Sequence, residues 1–202
     1  MVKESIDSLL ATHDQDDFRR RISLQLKLNT LARGFSRSGA EAVKVGAMYL
    51  SRLASEEKTD DVMAIEFLRS GAEEVWEADK NPTSYVDLYD YFYDECMPLN
   101  GNRHWLHETF STSVAKCVAR AVPDDGRVLL ALAIGFIAKR SMDSDERVIR
   151  LVDLSKDLLD YGATVEARYL SETLLAKAKD KIRRMPFLKE SLDKVIVATN
   201  PS

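Results

Sequence analysis

One apolar stretch decides the fold, and it reads Val128-Leu-Leu-Ala-Leu-Ala-Ile-Gly-Phe-Ile-Ala138. Arg127 precedes the stretch and Lys139 follows it, so eleven residues stand together without a charge. A membrane-spanning helix needs roughly 20 apolar residues, so this stretch is too short to cross a bilayer. A surface helix carries its apolar residues along one stripe, whereas this stretch is apolar almost all round. The sequence therefore predicts a buried helix at the centre of the fold, with other helices packed around it.

The sequence on both sides of this stretch follows a helical period. Apolar residues recur at steps of three and four, which is the spacing of one helix face; examples are Leu24, Leu28, Leu31 and Phe35. No segment alternates apolar and polar residues with β-branched enrichment, so no strand is predicted. The pattern predicts an all-α fold, a compact bundle of nine to ten antiparallel helices joined by short loops into helical hairpins.

The length of 202 residues favours one domain, because chains of this size most often form a single core. No long linker rich in Gly, Ser or Pro divides the sequence. We expect a single all-α domain over residues 1–198 and a frayed end at 199–202. A weak subdivision at 98–102, around a Pro and a Gly, is the alternative.

Short motifs mark several helix ends. Residues 38–41, Ser-Gly-Ala-Glu, match a capping box, and residues 59–61 supply a cap and two carboxylates at a helix start. Residues 81–84 are expected to break the chain before a helix that restarts at Ser84. Gly162 stands where a left-handed helix stop is expected.

The sequence contains one internal echo. Residues 35–43 and 67–75 match at a shift of 32, with Phe, Arg-Ser-Gly-Ala-Glu and Val in common. A period in the low thirties is typical of helical-hairpin repeats. The echo does not recur further along the chain, so chance similarity between helix-forming segments is the alternative to a repeat-like bundle.

Composition excludes several classes of protein. Hydrophobic residues make up 45% of the chain and charged residues 31%, as in globular domains, and 8 Gly and 5 Pro are too few for a low-complexity chain. The first residues lack the pattern of a signal peptide, and two cysteines cannot form a disulfide framework. We therefore expect a cytoplasmic protein that does not act on membranes.

The net charge of −4 is distributed unevenly along the chain. Residues 61–108 hold eleven acidic and three basic side chains, whereas the segments before and after them are close to neutral or slightly basic. The same middle segment holds eight of the aromatic residues. It is therefore the first place to look for a binding surface.

The most informative part of that segment reads Tyr85-Val-Asp-Leu-Tyr-Asp-Tyr-Phe-Tyr-Asp-Glu-Cys96. At about 100° per residue, its apolar face consists of Tyr85, Leu88, Tyr89, Phe92 and Cys96. The opposite face carries three carboxylates between two boundary tyrosines, in the set Asp87, Asp90, Tyr91, Tyr93 and Asp94. One interpretation is a core stripe with a solvated ridge. The other is a surface that binds a protein with basic side chains, because tyrosine is favoured at interfaces and carboxylates select cations.

Two clusters of basic residues offer an alternative function. Arg19, Arg20 and Arg21 lie near the N-terminus, within a wider cluster over residues 19–37. Lys177, Lys181 and Arg184 stand at i, i+4 and i+7, which predicts a ridge on one helix over residues 177–184. Such clusters can contact nucleic-acid phosphates. They can also meet the acidic middle of a second copy, which would give self-association.

A third hypothesis places a metal-dependent enzyme at His104 and His107, which are spaced at i and i+3 and followed by Glu108. The spacing matches no established zinc motif. The sequence also lacks a phosphate-binding glycine loop and a nucleophile elbow, and Cys96 and Cys117 fall on apolar helix positions. The leading prediction is therefore a non-enzymatic adaptor or regulatory protein that needs no cofactor.

Overall fold

A computed structural model describes residues 1–12, 18–140 and 144–200. The structure is 88% helical, and the described residues contain no strand, so the predicted all-α class is confirmed. The elements are α1 (Val2–Ala11), α2 (Phe18–Ser36), α3 (Ala40–Ser55), α4 (Asp61–Asp79), α5 (Pro82–Tyr91), a π-helical turn (Phe92–Cys96), α6 (Met97–Asn100), α7 (Arg103–Arg120), α8 (Pro123–Arg140), α9 (Ser144–Asp160), α10 (Thr164–Lys177), α11 (Lys179–Arg184) and α12 (Pro186–Ala198).

The helix count is slightly higher than predicted. When the unbroken run over residues 82–100 is counted once, the described residues form 11 helices rather than nine or ten. The extra helix comes from residues 164–184, where α10 stops at Lys177 and the short α11 begins at Lys179. None of the helices in the described ranges combines the length and the hydropathy that crossing a membrane would require.

Backbone contacts divide the chain into two compact units, Met1–Thr109 and Phe110–Ser202. We call them the N-terminal unit and the C-terminal unit. The boundary falls inside α7 rather than in a loop. The single domain over residues 1–198 and the alternative subdivision at 98–102 stay predictions.

The core of the N-terminal unit is built from α2, α3 and α4, and α1 and α5 pack against this group. Two glycines bring α3 and α4 close together. A Cβ atom at Gly71 would lie 2.5 Å from a methyl carbon of Val43, and one at Gly46 would lie 2.5 Å from the ring of Phe67. The missing side chains thus make room for a large neighbour on the facing helix.

The sequence echo is not a structural repeat. In the first copy, Gly39 precedes α3 with φ +102°, whereas Gly71 in the second copy lies in the middle of α4. The same residues therefore serve as a helix start in one place and a packing site in the other. This difference in helix position favours chance similarity between helix-forming segments over a repeat.

The C-terminal unit packs α9, α10 and α12 against one another, with α8 against α9. Prediction of a fully buried central helix was wrong for α8. Leu129, Ala133 and Ile137 are buried, but Val128 is 53% exposed and Leu132 is 36% exposed. Neighbouring helices cover one side of α8 only, so an apolar composition all round did not produce burial all round.

The predicted helix ends fare unevenly. The Asp60 carboxylate accepts a hydrogen bond from the Val62 backbone N–H at 2.9 Å, which confirms the start of α4, and Gly162 adopts φ +84° as expected. The capping box predicted at 38–41 was wrong, because the residue before α3 is Gly39 rather than Ser38 and no side chain caps the start of this helix. The Asn81 side chain accepts from the Thr83 N–H at 3.0 Å, so α5 begins at Pro82, two residues earlier than predicted.

Candidate functional site

The acidic, tyrosine-rich segment forms α5 and the π-helical turn that continues it. Its predicted apolar face is confirmed, because five side chains are at most 1% exposed: Tyr85, Leu88, Tyr89, Phe92 and Cys96. The Tyr85 ring meets the Trp76 ring edge-on at 6.4 Å and the Tyr89 ring at 5.4 Å. These buried contacts therefore hold the segment, and with it the outer face, in a fixed position.

The π-helical turn over Phe92–Cys96 was not predicted from sequence. It is a wider turn in which the backbone bonds run from i to i+5, and such turns are often found at functional sites. The turn places Phe92 and Cys96 on the buried side and leaves Asp94 and Glu95 exposed. Glu95 is thus a further surface carboxylate that the sequence argument passed over.

The three predicted carboxylates do not have the same surroundings. Asp87 and Asp94 are exposed, whereas Asp90 is half-buried. Asp90 and Asp94 both interact with other groups of the chain. The acidic face of this segment therefore consists of the exposed groups Asp87, Asp94 and Glu95, with Asp90 beneath them.

The two boundary tyrosines are half-buried, and each ring lies beside a cation of the same chain. The Lys44 ammonium lies 5.4 Å from the centroid of the Tyr91 ring, and the Arg103 guanidinium lies 5.5 Å from that of Tyr93. Burial raises the pKa of the Tyr91 phenol above its usual value. Part of each ring is therefore covered by its own chain, and each ring already has a cation beside it.

The histidine pair does not form a common site. His104 and Glu108 are exposed at the start of α7, whereas His107 is buried beside Tyr93, with 6.1 Å between the ring centroids. Over residues 1–12, 18–140 and 144–200, no three His, Cys, Asp or Glu side chains are grouped so that they could hold a metal ion. The third histidine, His13, lies outside the described residues.

The predicted basic ridge over residues 177–184 was wrong as a feature of one helix. Lys177 is the last residue of α10, whereas Lys181 and Arg184 belong to α11. The Lys181 ammonium donates to the Asp145 carboxylate and to the Ser144 hydroxyl, both at 2.6 Å, and this contact lowers the pKa of Asp145. One of the three charges of this cluster, that of Lys181, is therefore matched within the chain.

The N-terminal basic cluster is exposed. Arg19, Arg20 and Arg21 lie in the first turn of α2, and Arg33 and Arg37 lie exposed towards its end. A helix N-terminus carries a partial positive charge, which repels the three guanidinium groups and favours their exposure to solvent.

The C-terminal unit contains a surface that the sequence argument missed, an apolar groove of about 520 Å³ between α8 and α10. Its lining is Arg127, Leu130, Ala131, Ile134, Val165, Glu166 and Tyr169. The available signal was the apolar stretch at 128–138, which we interpreted as buried on every side. Half of that helix surface in fact faces out.

Comparisons of the chain with protein-family models, with curated proteins and with solved structures found no match. Its function therefore has to be argued from its own residues.

Proposed function

We propose that this chain is a non-enzymatic interaction protein, an adaptor or regulatory protein of the cytoplasm, which binds a protein with a basic surface. The binding face is the acidic side of α5 and the π-helical turn, with Asp87, Asp90 and Asp94 as the selecting charges and Tyr91 and Tyr93 at its margins. One observation carries the proposal. The apolar face of this segment is fully buried, whereas Asp87 and Asp94 are both exposed on different turns of the same continuous helical run.

The chemistry of the segment supports a cationic partner. Exposed carboxylates steer and select positive charge, and the surrounding residues 61–108 carry a large excess of acidic side chains. The rings of Tyr91 and Tyr93 each hold a cation of the chain at 5.4 and 5.5 Å, so the same surface suits lysine and arginine side chains. The buried base adds rigidity, which lowers the entropy lost on binding.

The other two hypotheses draw less support from the geometry. Lys181 is paired with Asp145 and is separated from Lys177 by the break between α10 and α11, and the histidine pair is divided between a buried and an exposed position. We retain nucleic-acid binding through Arg19, Arg20 and Arg21 as an outcome of the test below.

The test is affinity purification from the native source with the wild-type chain and with the triple variant Asp87→Asn, Asp90→Asn, Asp94→Asn. Co-purifying proteins are quantified by mass spectrometry, and nucleic acid is measured before and after nuclease treatment. We expect the triple variant to retain about a tenth of the specific partner, because several weak charge contacts are lost together. Capture by the wild-type chain should also fall when salt screens the surface charges.

A matched control removes the same amount of charge elsewhere. The variant Glu57→Gln, Asp160→Asn, Asp180→Asn neutralises three exposed carboxylates outside the segment and should bind the partner as the wild type does. Circular dichroism checks that both variants are folded. The proposal is wrong if the two triple variants bind alike, or if nuclease treatment releases the partner.

A further inference from the structure

The groove between α8 and α10 is bordered by exposed apolar side chains. On the α10 side, Val165 is 65% exposed and Tyr169 is 63% exposed. On the α8 side, Leu130 is buried and Ala131 is exposed but small, so this wall offers room beside it. A cluster of exposed apolar groups around a groove, as opposed to scattered ones, marks an interaction surface.

The two sides of this groove differ in how far their apolar side chains are exposed. The α10 side presents the protruding side chains of Val165 and Tyr169, and the α8 side presents an apolar strip formed by Leu130, Ala131 and Ile134. A second identical groove, turned by a two-fold axis that runs along it, sets each protruding side against the other copy's strip. A two-fold interface requires this kind of self-complementary surface.

The charges of the groove are self-complementary as well. Arg127 lies on the α8 side and Glu166 on the α10 side. Among the described residues, Arg127 makes only a long contact with Asp124, at 3.8 Å, and Glu166 forms no ion pair or hydrogen bond. A partner of one charge sign would match one of these groups and repel the other. The same two-fold rotation brings the α8 side of each copy, which carries Arg127, onto the α10 side of the other, which carries Glu166.

We propose that this groove is a homodimer interface, in which α8 of one copy packs against α10 of a second copy. The partner is thus a second copy of this chain, held by Val165 and Tyr169 in the apolar strip and oriented by two Arg127–Glu166 pairs. This proposal does not depend on the acidic face of α5, because that face belongs to the N-terminal unit and the groove belongs to the C-terminal unit.

The test measures the mass of the full chain by sedimentation equilibrium at concentrations up to about 100 µM, where weak protein dimers are populated. We expect a mass of twice 22.8 kDa for the wild type. The variant Val165→Asp should weaken the dimer at least about tenfold, because it puts a charge into the apolar contact. An aspartate in the first turn of α10 is compatible with that helix, so the variant should stay folded.

The matched control is Val197→Asp, which changes a 70% exposed valine of α12 outside the groove. This variant should dimerise as the wild type does. Single reversals Arg127→Glu and Glu166→Lys should each weaken the dimer about tenfold, because each pair occurs twice in the interface. The double reversal should restore it, which a merely structural role of these residues would not produce.

A monomeric wild type at the highest concentration overturns the proposal. So does a dimer that Val165→Asp leaves as tight as Val197→Asp, or a double reversal that fails to recover what the single reversals lose. In each of those cases the groove serves a different partner or none.

Discussion

Cys96 illustrates how a single residue's surroundings set its chemistry. Its thiol lies on the buried side of the π-helical turn, and burial raises its pKa to about 12, against an ordinary value of 9.0. The sequence predicted a small buried hydrophobe at this position, and its burial is confirmed. A thiol with such a pKa stays protonated at neutral pH and is a poor nucleophile.

This shift predicts how stability depends on pH. The folded state holds the Cys96 proton more tightly than the unfolded state, so the unfolded chain loses its proton first as the pH rises. We expect the free energy of unfolding to be unaffected by Cys96 below about pH 8. Between about pH 9 and pH 12 it should fall by up to about 1.4 kcal/mol per pH unit through this group. Urea unfolding at a series of pH values measures it.

The variant Cys96→Ala is the control for this pH dependence. It removes the thiol but keeps the tyrosines, whose titration is common to both chains except at Tyr91, where, besides burial, the Cys96 thiolate contributes to the raised pKa. Its unfolding free energy should fall less steeply with pH than that of the wild type. Parallel curves would mean that the Cys96 thiol is as easily ionised in the folded chain as in the unfolded one.

At the scale of elements, the packing of α3 against α4 depends on Gly71, because a residue without a side chain lets the two helices approach closely. A Cβ atom at Gly71 would meet Val43 at 2.5 Å, which is closer than real contacts allow. Val43 is buried and β-branched, so it has little freedom to move away. Two helices can therefore approach here only while this position is glycine.

We expect Gly71→Ala to destabilise the chain by about 1–3 kcal/mol, because overpacking outweighs the better helix propensity of alanine. Gly34→Ala is the matched control, since Gly34 also lies inside a helix but a Cβ atom there meets nothing within 4 Å. That change should stabilise by about 0.5–1 kcal/mol. Chemical denaturation of both variants decides the matter, and an equal effect of the two substitutions would contradict the packing argument.

Helix α8 shows the limit of reasoning about one element by itself. Its composition is apolar on every side, which is typical of a buried helix rather than a surface helix. Composition does not reveal which side the neighbours cover. Packing leaves Val128 and Leu132 exposed, and a different part of the α8 surface, with Leu130, Ala131 and Ile134, lines the groove beside α10.

At the scale of the whole molecule, the acidic surface and the apolar groove belong to different units of the chain. The acidic excess over residues 61–108 falls entirely in the N-terminal unit, whereas the apolar groove lies in the C-terminal unit. The proposed partner face and the proposed dimer interface are therefore tested by variants in different units. Failure of one proposal leaves the other standing.

Features that depend on residues close together in the chain could be predicted from the sequence alone. The helices, the Asp60 cap and the buried face of α5 all follow from side chains within about one or two turns of each other, where spacing dictates position. For the same reason the sequence correctly predicted that Asp87 of α5 and Asp94 of the π-helical turn are exposed.

Features that join distant parts of the chain were decided only by the tertiary structure. Asp145 holds Lys181 from another helix, Gly71 admits Val43, and α10 forms the second wall of the groove beside α8. Each depends on which helices become neighbours, and this is determined by the packing of whole faces rather than by local spacing. The sequence determined that this chain is helical and where its charges lie, and packing decided which of its apolar surface is left for partners.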